Sequence, residues 1–244
     1  MPTQSQLAAL AALKDEVARS KRTAGVRFEP SFVRSADGSE DPPPLARLSG
    51  AGRGGEIRLK LFLTFAMRAT RGRPTLSNRR PPRLARMLAL PEETGPRRVA
   101  DAMRWLVRNR FITISPQTGT PGQLLLQDGG DPASDLASSD QHGRYISVPI
   151  ELWTSGLILG MSGRELAIYI ALLDVTYDNG EGAMSGHQKR QYGISDDTWT
   201  RAVRELRRRR MIAVRKKVDD DGETLPRVRT IYSRVDPSDW TKLM

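Results

Sequence analysis

The stretch "QYGISDDTWTRAVRELRRRRMIAV" (Gln191–Val214) changes its periodicity part-way along. Trp199, Ala202, Val203 and Leu206 recur at three- and four-residue steps, the spacing that lines one face of a helix. Ser195 stands at the N-cap position with Asp196 and Asp197 in the first turn, where a hydroxyl and carboxylates meet the free N–H groups of a helix start. A helix over about 196 to 209 is predicted. Four consecutive arginines (Arg207 to Arg210) follow, and "MIAVRKKV", "DDDGETLPR" and "VRTIYSR" then read as strand, turn and strand, a β-hairpin. Upstream lie a short helix, "GHQKRQYGI" from Gly186, and a long apolar one, "GRELAIYIALLDVTYD" from Gly163.

The same order occurs earlier in the chain. Shifting by 100 positions lays Val99 on Trp199, Ala102 on Ala202, Met103 on Val203, Leu106 on Leu206, Arg110 on Arg210, Ile112 on Ile212 and Ile114 on Val214. Around that match lie a long apolar helix ("IRLKLFLTFAMRAT" from Ile57), a short one ("PPRLARMLAL" from Pro81) and a third over about 95 to 109, with Pro96 at a first-turn position. A second hairpin, "FITIS" and "QLLLQ" around "PQTGTPG", completes the copy.

Two stretches rich in Gly, Ser, Asp and Pro, 34 to 55 and 128 to 143, divide the chain and are expected to hold no regular element. The expected organisation is an N-terminal helix with an extended segment over 1–55, one module over 56–127, a linker over 128–143, a second module over 144–236 and a tail over 237–244. In the N-terminal helix (6 to 20), Leu7, Leu10, Leu13 and Val17 share a face, which suits docking on a protein partner or self-association.

The run "LARMLALPEETGPRRVADAMRWLVRNRFITI" (84 to 114) resembles the helix-turn-helix of winged-helix DNA-binding proteins, and 191 to 214 resembles it again. The resemblance implies a mainly α fold with small β-hairpin wings, two winged helix-turn-helix domains in tandem. It further implies sequence-specific binding of double-stranded DNA, as in transcriptional regulators or, alternatively, in replication-origin binding initiators of plasmids or other mobile elements. Both modules share one chain, unlike a symmetric dimeric repressor.

Charge agrees with that expectation. Across 244 residues, 39 Lys+Arg oppose 28 Asp+Glu, a formal net charge of +11 that favours a polyanionic partner. The basic residues lean to arginine, whose planar fork suits phosphates and guanine edges. On the wheel of the third helices, the side opposite the apolar stripe carries Asp197, Arg201, Arg204 and Arg208 in one copy and Arg97, Asp101, Arg104 and Arg108 in the other. The expected DNA contacts are therefore Arg97, Arg98, Arg104, Arg108, Thr200, Arg201, Arg204 and Arg208, with base reading in the N-terminal half of each helix and phosphate contacts in the C-terminal half.

Further phosphate ligands are expected at Arg79 and Arg80, in an arginine-rich loop that also holds Arg71, Arg73 and Arg83, and at Lys189, Arg190, Lys216 and Lys217. Arg210 falls on the apolar side of the wheel and is expected to pack its stem there. The acidic turn Asp219, Asp220, Asp221 and Glu223 would be repelled by phosphate, which argues against that tip entering DNA.

Other function classes find little support. The sequence has no cysteine, its two histidines (His142 and His187) are far apart, and the phosphate-binding GxxxxGK[ST] pattern is missing, so neither a cofactor nor an enzyme activity is expected. The five tyrosines form no catalytic constellation. No apolar run has the length of a membrane span, and a cytoplasmic, nucleoid-associated protein is the expectation.

Overall fold

A computed structural model describes residues 2–23, 25–50, 52, 54–69, 80–126 without 116–122, 144–219 and 227–240. The chain begins with α1 (Gln4–Ser20), β1 (Val26–Phe28), α2 (Pro30–Val33) and α3 (Pro44–Ser49). A first unit follows: α4 (Gly55–Arg68), α5 (Pro81–Met87), α6 (Gly95–Arg108), β2 (Ile112–Ser115) and β3 (Gln123–Leu126). β4 (Ile146–Val148), α7 (Glu151–Thr154) and α8 (Leu157–Gly160) lead to a second unit of α9 (Gly163–Val175), β5 (Glu181–Ala183), α10 (Gly186–Gln191), α11 (Asp196–Arg208), β6 (Ile212–Asp219) and β7 (Arg227–Arg234). The protein is mainly helical with small antiparallel sheets: β2 pairs with β3 and β6 with β7, as the strand patterns predict, and the sequence reading did not include β1 with β4 or β5 beside β7.

The two long apolar helices form the centre. From Ile57 to Met67 every residue of α4 is buried, and so is every residue of α9 from Glu165 to Asp174, because each is covered on all sides. α4 and α9 pack on each other, α6 packs on α4 and α11 on α9. One hydrophobic cluster runs from Leu13 to Trp240 through both units. Gly163 is required where the helices start: a Cβ there would stand 2.8 Å from the Glu56 Cα.

Several segments differ from the sequence reading. The 34–55 stretch contains α3, where Pro44 starts a short helix that buries Leu45 and Leu48; a proline at the first turn costs no hydrogen bond. Phe28 and Phe32, stacked at 4.7 Å between ring centroids, pack on Phe62 of α4. The N-terminal strand pairs with the segment ahead of the second unit, Val26 opposite Val148 and Phe28 opposite Ile146. Residues 237–240 are not a loose tail: Trp240 is buried, meets Tyr169 edge-on at 5.6 Å and donates to the Val235 carbonyl. The 128–143 stretch lies outside the described residues.

α1 is docked within the chain. Ala9, Leu13, Glu16 and Val17 are buried against α4, α5 and α7, whereas Leu7 is half exposed. Glu16 receives Arg68 at 2.9 Å, Arg83 at 3.1 Å and Arg19 at 3.5 Å. Arg22, just past the helix, donates to the Met67 carbonyl at 2.8 Å and to those of Ala66 and Ala69, satisfying the C-terminal end of α4. The second half has a matching device. Asp174, buried in α9, receives Arg144 at 2.8 Å, Arg34 at 3.3 Å and the Tyr192 hydroxyl at 2.8 Å, which ties both flanking segments and α10 to one carboxylate. Burial and that carboxylate push the Tyr192 hydroxyl pKa up.

Candidate nucleic-acid interface

α6 and α11 are the elements with the sharpest division between an apolar and a charged face. α11 buries Trp199, Ala202 and Leu206, and α6 buries Val99, Ala102, Met103 and Leu106. Trp199 is enclosed between Tyr192 and Tyr232 and donates its indole N–H to the Tyr232 hydroxyl at 3.1 Å, so the rotation of α11 about its axis is fixed. Ser195 caps the helix by accepting from the Thr198 N–H, as its position in the sequence suggested.

Both helices end in the same way. Asn109 and Arg209 are the C-caps, and Arg110 (φ 61°) and Arg210 (φ 57°) take the left-handed conformation. The Arg110 N–H bonds Val107 O and the Phe111 N–H bonds Leu106 O; Arg210 to Arg207 and Met211 to Leu206 repeat the pattern. These are Schellman caps, with Phe111 and Met211 buried on Leu106 and Leu206. The placement of Arg210 on the core side is thereby corrected. The helical wheel stops at Arg208, and the left-handed turn throws both Arg110 and Arg210 into solvent. Arg209 instead turns inward, its guanidinium 2.7 Å from Gly160 O and 3.8 Å from Glu165.

On the outer faces, Arg97, Arg98, Arg104 and Arg108 of α6 and Thr200, Arg201, Arg204 and Arg208 of α11 are all exposed. Several are paired along their own helix: Arg104 with Asp101, Arg201 with Asp197 at 2.9 Å, and Arg208 with Glu205 at 2.8 Å. The hydrogen bond from Arg208, with the nearby guanidinium charges, holds the Glu205 carboxyl below the usual carboxylate range. Such solvent-exposed pairs are weak and open to competition from another anion.

The flanking cations divide into two groups. Arg80 at the start of α5 and Arg190 on α10 are exposed. Lys189 is bent over the neighbouring helix, with its ammonium 2.7 Å from Asp196 and 6.0 Å from the Trp199 ring centre. That hydrogen bond holds the Asp196 carboxyl below its usual range. Lys189 therefore fastens α10 to the start of α11, a role its position in the sequence did not reveal. Arg83 belongs to α5 rather than to a loop and bonds Glu16. Arg79, Arg71 and Arg73 lie outside the described residues.

Among the described residues the second hairpin is the longer, with Lys216 opposite Thr230, Lys217 opposite Arg229 and the exposed Val218 opposite Val228. Arg215, nearer the core, bonds Glu181 of β5 at 2.7 Å. Of the acidic turn, Asp219 closes the register opposite Arg227, and Asp220, Asp221 and Glu223 lie outside the described residues.

No family model, characterised protein or solved structure matches this chain. Among the described residues, no helix is long and apolar enough to cross a membrane.

Proposed function

We propose that this chain binds double-stranded DNA sequence-specifically through two winged helix-turn-helix units in tandem, with α6 and α11 as recognition helices, and acts as a transcriptional regulator at the bacterial nucleoid. The observation that carries this reading is the repeated outer face. Two helices with matched buried stripes and matched end caps both present arginine at positions 104/204 and 108/208. The element order of the second unit, helix, strand, helix, helix, strand, strand with sheet order β5-β7-β6, supports it. So does the net charge of +11, since phosphate contacts supply most of the affinity of a DNA-binding protein.

In this reading the exposed pairs of α11 exchange an internal carboxylate for a phosphate or a base edge on binding. Arg201 and Thr200 face bases, whereas Arg204 and Arg208 hold the backbone. Arg80 and Arg190, at the starts and ends of the preceding short helices, add phosphate contacts.

The test is duplex binding by the Arg204→Ala/Arg208→Ala variant and its counterpart Arg104→Ala/Arg108→Ala, after thermal melting has shown each to be folded. Each should weaken binding by roughly 10- to 100-fold and lower the slope of log K against log salt by about 2. Unchanged affinity in both variants would falsify the assignment. A promoter reporter carrying the selected site then tests regulation, and loss of plasmid maintenance without a reporter response would favour an origin-binding initiator instead.

A further inference from the structure

The two outer faces agree at one end and oppose each other at the other. Positions 104/204 and 108/208 are arginine in both helices, but one to two turns earlier the charges are inverted: Arg97 matches Asp197, and Asp101 matches Arg201. All of these side chains are exposed, on helices whose rotation is set by buried stripes in register, so the inversion stands on equivalent surfaces. The first turns differ in the same sense. That of α11 carries Asp196 and Asp197, whereas that of α6 carries no acid and reads Gly95, Pro96, Arg97 and Arg98.

The internal pairs also hold different arginines in place. In α6 the carboxylate of Asp101 holds Arg104; in α11 the carboxylate of Asp197 holds Arg201 and that of Glu205 holds Arg208.

Resting on the DNA-binding reading, we infer that the two helices recognise unlike half-sites, so that the target is asymmetric and the chain lies on it in one direction only. An arginine fork matches the two acceptors of guanine, whereas a carboxylate accepts from the amino group of cytosine and repels phosphate. Arg97 and Asp197 thus select opposite base edges at corresponding places. The arginines common to both helices lie in the halves that hold the backbone, where no sequence information is carried. Tandem units on one chain supply two half-site readers without a two-fold axis, so nothing forces the half-sites to be alike.

Selection of bound duplexes from a random library with the full chain tests this. Two different half-motifs in a fixed order are expected, and the double variant Arg97→Asp/Asp101→Arg should change the first half-motif while leaving the second as it is. Binding of that variant to the parent site should fall roughly 10- to 100-fold. Both substitutions lie on the solvent face, and an unchanged melting temperature shows that loss of binding is not loss of fold. A direct or inverted repeat of one motif, or a variant that selects the parental pair, overturns the inference and leaves the DNA-binding reading intact. Failure to enrich any duplex overturns both.

Discussion

The two units of this protein bury a matched stripe, alanine at 102/202 and leucine at 106/206 in both, but differ at 99/199 and in the rings around it. In the second, the aromatic weight lies on the near side of α11: Trp199 fills the space between Tyr192 and Tyr232. In the first, the same position is Val99, and the rings lie at the far end of α6, where Trp105 stacks on Phe111 at 5.6 Å and Arg58 lies 4.2 Å above Trp105. The turn between the second and third helices spans 88–94 in one unit and 192–195 in the other, and among the described residues the hairpin strands have four residues in one and eight in the other. What stays constant is the stripe of buried positions and the Schellman cap. The pattern of apolar sites specifies the helix pair, whereas the identity of each packed group is negotiated locally with its neighbours.

Emptying the matched position in each unit gives the largest contrast. Trp199→Ala should cost about 3–5 kcal/mol, through the lost ring and the orphaned Tyr232 hydroxyl, whereas Val99→Ala should cost about 2 kcal/mol. Denaturant unfolding measures both, and equal losses would show that the aromatic cluster does not set the stability of the second unit.

The buried carboxylates come next. Asp174→Asn keeps a partner for Tyr192 but leaves Arg34 and Arg144 without their counter-charge. Both arginines are about a third exposed, so water recovers part of the loss and about 2 kcal/mol is expected. Protease cleavage near residue 144 should accelerate in parallel; resistance equal to the parent would show that Asp174 does not anchor that segment.

The smallest effects concern the turns after α5 and α10. Gly193 has φ +63° and faces the Ala46 Cβ, which a new Cβ would approach to 2.8 Å. Ala89 holds the comparable left-handed place after α5, with φ 52°. Gly193→Ala should destabilise by about 1–2 kcal/mol, and Ala89→Gly should stabilise by under about 1 kcal/mol. Melting temperatures that move in the same direction would show that backbone strain is not what separates these two turns.

Legibility in the sequence follows the range of each interaction. The stripes of α6 and α11, the Ser195 cap and both hairpins rest on neighbours within a few residues, and each was readable from spacing. The candidate interface was readable for the same reason: the exposed arginines of α6 and α11 are simply the complement of the stripe. Arg83 and Arg210 were misplaced, and the contact of Lys189 with Asp196 was not foreseen, because these positions depend on more than helical phase. Lys189 and Arg83 are set by a carboxylate on another helix, and Arg210 by a single backbone residue that leaves the helical conformation.

By itself, then, the sequence determined the kind and order of the longer helices and of the hairpin strands, and the charge on the outer faces of α6 and α11, since periodicity and composition are local properties. Only the tertiary structure decided that α1 and the segment through α3 belong to the core, that Val26 pairs with Val148, and that Glu16 and Asp174 fasten α1 and the segments at Arg34 and Arg144 to the two central helices. A stripe tells which face must be buried, but not which surface will cover it. That choice is made by the fit of groups far apart in the chain, once α4 and α9 have come together.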